Sequence, residues 1–221
     1  LKRPSPELAQ ELISEARVMG RLTHPNIPPV HLLRQGEGGH PEVVMKRVEG
    51  ETMLAWLNHE AQRGERLREA LRVITQVCYA VEFAHSQGVI HRDIKAENIM
   101  LGRFHEVYLM DWGLALDLHC LGDVSQGVVG TPAYMAPEML YGDPKRLTKQ
   151  TDVYLLGALL HHTLTGRPRH HGEATIEGCL RLAFKSPPAQ YEPSVPSALG
   201  WLCNQACQRE PSARIASVEA F

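Results

Sequence analysis

Residues 89–115 read VIHRDIKAENIMLGRFHEVYLMDWGLA, setting two aspartates, a lysine and an asparagine among short apolar runs. The apolar runs 99–101 and 107–110 are separated by GRFHE, which suits the loop of a β-hairpin. Pairing about a centre near position 104.5 sets Asn98 opposite Asp111 at the open end of that hairpin. An amide oxygen and a carboxylate then converge from two strands, a pair suited to a magnesium ion that is shared with phosphate and water oxygens. Asp93 and Lys95 lie on the loop feeding the same end. One supplies a proton acceptor, the other a positive charge for a transferring phosphoryl group.

Composition narrows what surrounds this stretch. The 221 residues carry 43% apolar content, enough for a sizeable core in one two-lobed domain or two small ones. Lys and Arg number 23 against 25 Asp and Glu, with no basic excess for a nucleic-acid backbone, so no nucleic-acid partner is expected. Five scattered cysteines suit a reducing compartment, and Cys203 and Cys207 read as small core residues on one helix face. The longest apolar run, 153–160, is far too short for a bilayer, so no membrane segment is expected in this chain.

Ahead of the central stretch, Ser5 and Pro6 signal a helix start, and a helix is predicted to about Leu22. Leu8, Leu12, Glu15, Met19 and Leu22 share one stripe of it, which places Glu15 on the apolar face. A carboxylate there needs a cation partner or must reach out at the stripe edge. HPNIPPVHLL (24–33) and residues 43–48 read as strands around the glycine-rich GEGG turn, and the pattern turns helical after Gly50. Leu67, Leu71, Ile74, Cys78, Val81 and His85 mark a long amphipathic helix ending near Gly88.

HRDIKAEN, then DWG, then GTPAYMAPE together resemble the motifs of a protein kinase catalytic domain. Chance occurrence of the first pattern alone is on the order of 10⁻⁴. TDVYLLGALLHHTLTGRP resembles the central buried helix of that fold's large lobe, and REPSARIAS its last conserved segment. The resemblance implies an α+β, two-lobed kinase-like fold: a partial small lobe over 1–48, with its helix, strands and hinge, and a mainly helical large lobe over 49–221. It implies ATP and Mg2+ as cofactors, a protein substrate and a cytoplasmic location. Asp93 becomes the acceptor of the substrate hydroxyl's proton, Lys95 the stabiliser of the transferred phosphoryl, and Asn98 and Asp111 the magnesium ligands. Glu15 becomes the helix glutamate that pairs with a lysine touching the ATP phosphates. Met45 guards the back of the adenine pocket, Lys46 through Val48 form the hinge, and Met100 is the pocket floor. Met19, Val30, His91 and Trp112 stack as an internal spine, Glu138 pairs with Arg214, and Asp152 anchors the catalytic loop.

Lys95 and GTPAYMAPE are similar to serine/threonine rather than tyrosine kinases, with Thr131 lining the acceptor pocket, and RLTHPNI and VEGET are similar to the bacterial, eukaryotic-like type. Arg92 resembles the arginine that meets a phosphate on the activation segment; Gly127 stands at the usual acceptor position, so Ser125 is the expected site. Three departures stand out. No glycine-rich loop precedes the helix, leaving Lys2, 13 positions before Glu15, as the candidate ATP lysine. Trp112 replaces a phenylalanine. His162 stands where kinases of basic substrates carry glutamate, which argues against an arginine-rich substrate preference. The chain reads as a fragment, expected to be catalytically silent and prone to associate without upstream strands. The alternative function is a pseudokinase or scaffold domain, which has no physical need for Asp93, Lys95, Asn98 and Asp111 together.

Overall fold

Pro6 opens α1 (Pro6–Arg21) in the computed structural model, which describes residues 6–36, 39–59, 63–120, 127–171 and 175–221. Lys2, Ser5, Ser125 and the side chain of Leu8 lie outside the described residues. Met19 and Leu22 of the α1 stripe are buried, and Leu12 and Glu15 are half-buried.

β1 (Val30–Gln35) and β2 (Pro41–Met45) pair antiparallel, with Val30 opposite Met45. The first strand starts later than expected because Pro28 and Pro29 carry no N–H for a ladder, and the second ends before residues 46–49, which are irregular. After Gly50 the chain does not turn helical at once. Gly50–Thr52 forms β3, and the Thr52 hydroxyl then accepts from the Ala55 N–H at 3.1 Å to cap α2 (Met53–Asn58). The long helix α3 (Arg63–Ser86) follows, its end within two residues of Gly88. β4 (Val89–Ile90), β5 (Ile99–Gly102), β6 (Val107–Leu109) and β7 (Leu116–Asp117) carry the central stretch. β5 lies between β3 and β6, and β4 pairs with β7, all antiparallel. Three further helices complete the described residues: α4 (Lys149–Thr165), α5 (Ile176–Lys185) and α6 (Ser197–Ala206).

α4 is buried on every side from Thr151 to His162, as a helix passing through a core must be. Its Gly157 lets α6 approach: a Cβ there would meet the Ala206 Cβ at 2.6 Å. Gly166, at φ 71°, stops the helix in the left-handed conformation. Cys203 and Cys207 are buried in the same core, and burial raises both thiols, Cys203 to about 12. No helix among the described residues is long and apolar enough to cross a membrane.

Burial inside this core also makes stability depend on acid. His161 is lowered to about 3, mainly by burial and then by Arg169, and His170 to about 4, again mainly by burial. Both are neutral when folded, whereas the unfolded chain takes up protons below their ordinary value of 6.5. Stability is therefore full above 6.5 and falls as pH drops toward the folded values, by about 1.4 kcal/mol per pH unit for each histidine. Urea unfolding should show a loss on the order of 4 kcal/mol between neutrality and about pH 5. A flat profile would mean that these histidines titrate normally in the folded chain.

Candidate active site

β4 delivers the chain into residues 91–98, and α4 fixes that loop from below through Asp152. One Asp152 carboxylate oxygen accepts from the His91 N–H at 2.8 Å and from His85 Nε2 at 2.8 Å; the other accepts from the Arg92 N–H at 3.0 Å. Burial would raise this carboxyl, but the hydrogen bonds from His85 and from the Arg92 backbone hold it below its ordinary value. The anchoring expected of Asp152 is present, and His85, read as a member of the apolar stripe, is a polar partner in it. Arg92 adopts φ 69°, a left-handed conformation rare for a side-chain-bearing residue. Its guanidinium donates Nε to the Leu114 carbonyl. Ser125, the expected phosphate carrier for Arg92, is outside the described residues.

The turn that follows makes Asp93 a hub. Asp93 Oδ2 accepts from Asn98 Nδ2 at 2.9 Å and lies 2.7 Å from Lys95 Nζ, while Oδ1 accepts from the Thr131 hydroxyl at 2.7 Å. Lys95 also donates to the Thr131 Oγ1 at 2.6 Å. With about two lone pairs per carboxylate oxygen, Oδ2 is filled and Oδ1 keeps one acceptor position free. His91 orients the loop: its Nε2 donates to the Met110 carbonyl at 3.1 Å, which leaves Nδ1 to accept the Asp93 N–H at 3.2 Å.

The hairpin register differs from expectation. Ile99 pairs with Leu109, Met100 with Tyr108 and Leu101 with Val107, so the centre is residue 104 and Asn98 faces Met110 rather than Asp111. The loop has an odd number of residues and closes with His105 at φ 65°. The Met110 N–H donates to the Asn98 carbonyl at 2.8 Å, and Asp111, next in the chain, turns at φ 61°. Asn98 Nδ2 is engaged by the Asp93 carboxylate and carbonyl, so its amide oxygen is free to ligate. Asp111 is exposed. Among the described residues no group of three or more His, Cys, Asp or Glu is placed to hold a metal, so a divalent ion here would take its other oxygens from phosphate and water.

Glu15 reaches this corner from α1. A Cβ built on Gly113 would lie 3.4 Å from Asp111 Oδ1 and 3.7 Å from Glu15 Oε2, so both carboxylates border one residue. Burial and the charge of Asp111 raise the Glu15 carboxyl, partly offset by the Trp112 backbone hydrogen bond. The two neighbouring carboxylates repel each other, which adds to burial in raising Glu15.

Of the residues expected to frame adenine, Met45 ends β2 and is exposed, Lys46 is exposed and donates to the Tyr108 hydroxyl, and Val48 is half-buried. Lys46 and Val48 line a small cavity of about 220 Å³ with residues of the β5–β6 loop. Met100, half-buried on β5, faces Thr52 and Tyr108 across the ladder. Within the expected spine the rings of His91 and Trp112 lie 4.6 Å apart, Met19 is buried in the same core, and Val30 packs against it.

Elsewhere Glu138 and Arg214 meet as expected, with two bonds of 2.7 Å. Two contacts had no sequence signal strong enough to find them. Asn26 Nδ2 donates to Gln76 Oε1 and the Val107 carbonyl, tying the α1–β1 connection to α3 and β6. Tyr134 hydrogen bonds His162 Nδ1 at 2.5 Å.

A family model of the protein kinase domain matches residues 2–221. Serine/threonine-protein kinase PknD of Protochlamydia amoebophila (strain UWE25) is 36% identical over 188 residues, covering 72% of this chain and 19% of that protein. Serine/threonine-protein kinase Pkn1 of Myxococcus xanthus is 32% identical over 224 residues, covering 98% of this chain and 31% of that protein. PknD of Chlamydia pneumoniae is 34% identical over 188 residues, covering 73% of this chain and 20% of that protein. The α+β fold with its mainly helical large lobe and its hub at Asp93 defines the class, and the chain belongs to the protein kinase domain family. It spans less than a third of the length of these relatives.

Proposed function

We propose that this chain is the catalytic domain of a bacterial signalling kinase that transfers the γ-phosphoryl group of Mg2+-ATP to serine or threonine hydroxyls of proteins in the cytoplasm. The observation that carries the reading is the hub at Asp93, whose one free acceptor position at Oδ1 adjoins Thr131 and Lys95. Asp93 takes the proton from the substrate hydroxyl, while Lys95 offsets charge on the transferring group. The amide oxygen of Asn98 and the carboxylate of Asp111 hold magnesium, which supplies charge neutralisation to the phosphates. Residues 1–48 form the small-lobe part, with Met45, Lys46, Val48 and Met100 framing adenine. Glu15 pairs there with a lysine, for which Lys2 is the candidate. The names of the relatives and the family match support serine/threonine kinase activity over a scaffold role.

The protein carrying this chain should phosphorylate serine and threonine peptides in the presence of Mg2+ and ATP and leave the matching tyrosine peptides unmodified. Removing Mg2+ with a chelator should abolish transfer. A protein that folds but neither binds ATP nor phosphorylates would return the case to the scaffold reading.

A further inference from the structure

A groove of about 950 Å³ runs between the first turns of α3, the C-terminal end of α4 and the proline-rich 187–196 loop. Its charge is one-sided. Arg66, Arg167 and Arg169 line it, against Glu192 as the carboxylate among its described lining residues. His161 and His162 are both lowered by burial, and so add no charge at neutral pH. The guanidiniums of Arg66 and Arg169 are each tethered by Nη2 to one backbone carbonyl, of Trp56 at 2.7 Å and of Pro187 at 2.6 Å. Arg169 is also held from the core side by the Cys207 thiol, so both arginines are fixed in the groove wall before any ligand arrives.

Buried side chains connect the groove wall to the catalytic loop. His162, in its wall, is bonded to Tyr134, and the Glu97 and Asp93 carboxylates act on that same tyrosine. Prolines 187, 188 and 196 stiffen the opposite wall, which reduces the ordering that binding would otherwise require. We propose that this groove binds an acidic segment of the protein substrate, its Asp or Glu side chains meeting the arginines that line it. The assignment of the occupant as substrate rests on the kinase reading above.

The test compares three serine peptides that differ only in one flank: acidic, neutral or basic. Anisotropy without ATP reads binding directly. The acidic peptide should bind at least tenfold tighter than the neutral one, with affinity falling as salt rises. Arg167→Glu, on the exposed rim, should remove about tenfold of that preference, raising KM for the acidic peptide while kcat on the neutral peptide stays unchanged. Arg66→Gln should act in the same direction. Equal or tighter binding of the basic peptide overturns the proposal, as does an acidic preference that survives both substitutions. A protein that binds the acidic peptide but transfers no phosphate keeps the groove and removes the kinase reading; one that phosphorylates without preference does the reverse.

Discussion

Asp93→Asn is expected to slow phosphoryl transfer by roughly 10²–10⁴-fold while changing ATP affinity little. Two donors, Asn98 Nδ2 and the Lys95 ammonium, converge on Asp93 Oδ2, so an asparagine at 93 must turn its amide oxygen to that side. The amide NH2 then occupies the place of Oδ1. That position is the one that keeps a free lone pair in the native chain, beside the Thr131 hydroxyl. A nitrogen with two hydrogens and no lone pair cannot take a proton from a substrate hydroxyl. Asn98 and Asp111 stay in place, which is why nucleotide and magnesium binding should persist. Single-turnover phosphorylation of a serine peptide, with ATP binding measured separately, distinguishes the two effects. Turnover within a few-fold of the native rate would remove Asp93 from the mechanism.

How far the site could be read in advance depended on whether its chemistry was carried by sequence spacing or by backbone turns. Glu15 was visible because a carboxylate on an apolar stripe is an anomaly, and the folded chain sets it beside Asp111 and the Trp112 amide. The hairpin itself was legible from its apolar runs. Its register was not, because it depends on His105 adopting the left-handed conformation, which histidine enters more readily than most side-chain-bearing residues but still only in a minority of cases. A loop closed by glycine or Asn-Gly would have signalled the odd residue count. The approach of Asp111 to the cleft therefore owes more to its own turn than to strand pairing with Asn98. His85 is buried on the helix stripe as expected, but its partner was not legible, since a distant carboxylate, here Asp152, leaves no local sequence signal. β3 is three residues long, too short for any alternation to show.

Arg214→Ala should destabilise the fold strongly. The Arg214 guanidinium gives Nη1 and Nη2 to the two Glu138 oxygens at 2.7 Å each, a parallel pair fixed by the planar fork. Its remaining donors reach the carbonyls of Gln208, Gln150 and Arg209, and its carbon lies 4.9 Å from the Tyr154 ring centroid. Truncation therefore strips three backbone acceptors as well as the ion pair. Glu138 is buried, and without Arg214 it keeps the Thr151 hydroxyl at 2.9 Å as its hydrogen-bond donor. Breaking a buried pair from one side costs about 3–5 kcal/mol because the other charge is left without compensation. That is comparable to a large part of a domain's whole stability, so the folded population should fall sharply on warming unless a ligand is bound. Arg214→Lys should recover only part of the loss, since an ammonium cannot supply two parallel bonds and reach the three carbonyls together. Glu138→Gln combined with Arg214→Met, which removes both charges and preserves much of the volume, should be less damaging than Arg214→Ala alone. Urea unfolding of the four proteins decides the matter: if Arg214→Ala lost less than about 1 kcal/mol, the pair would be behaving as an exposed one does.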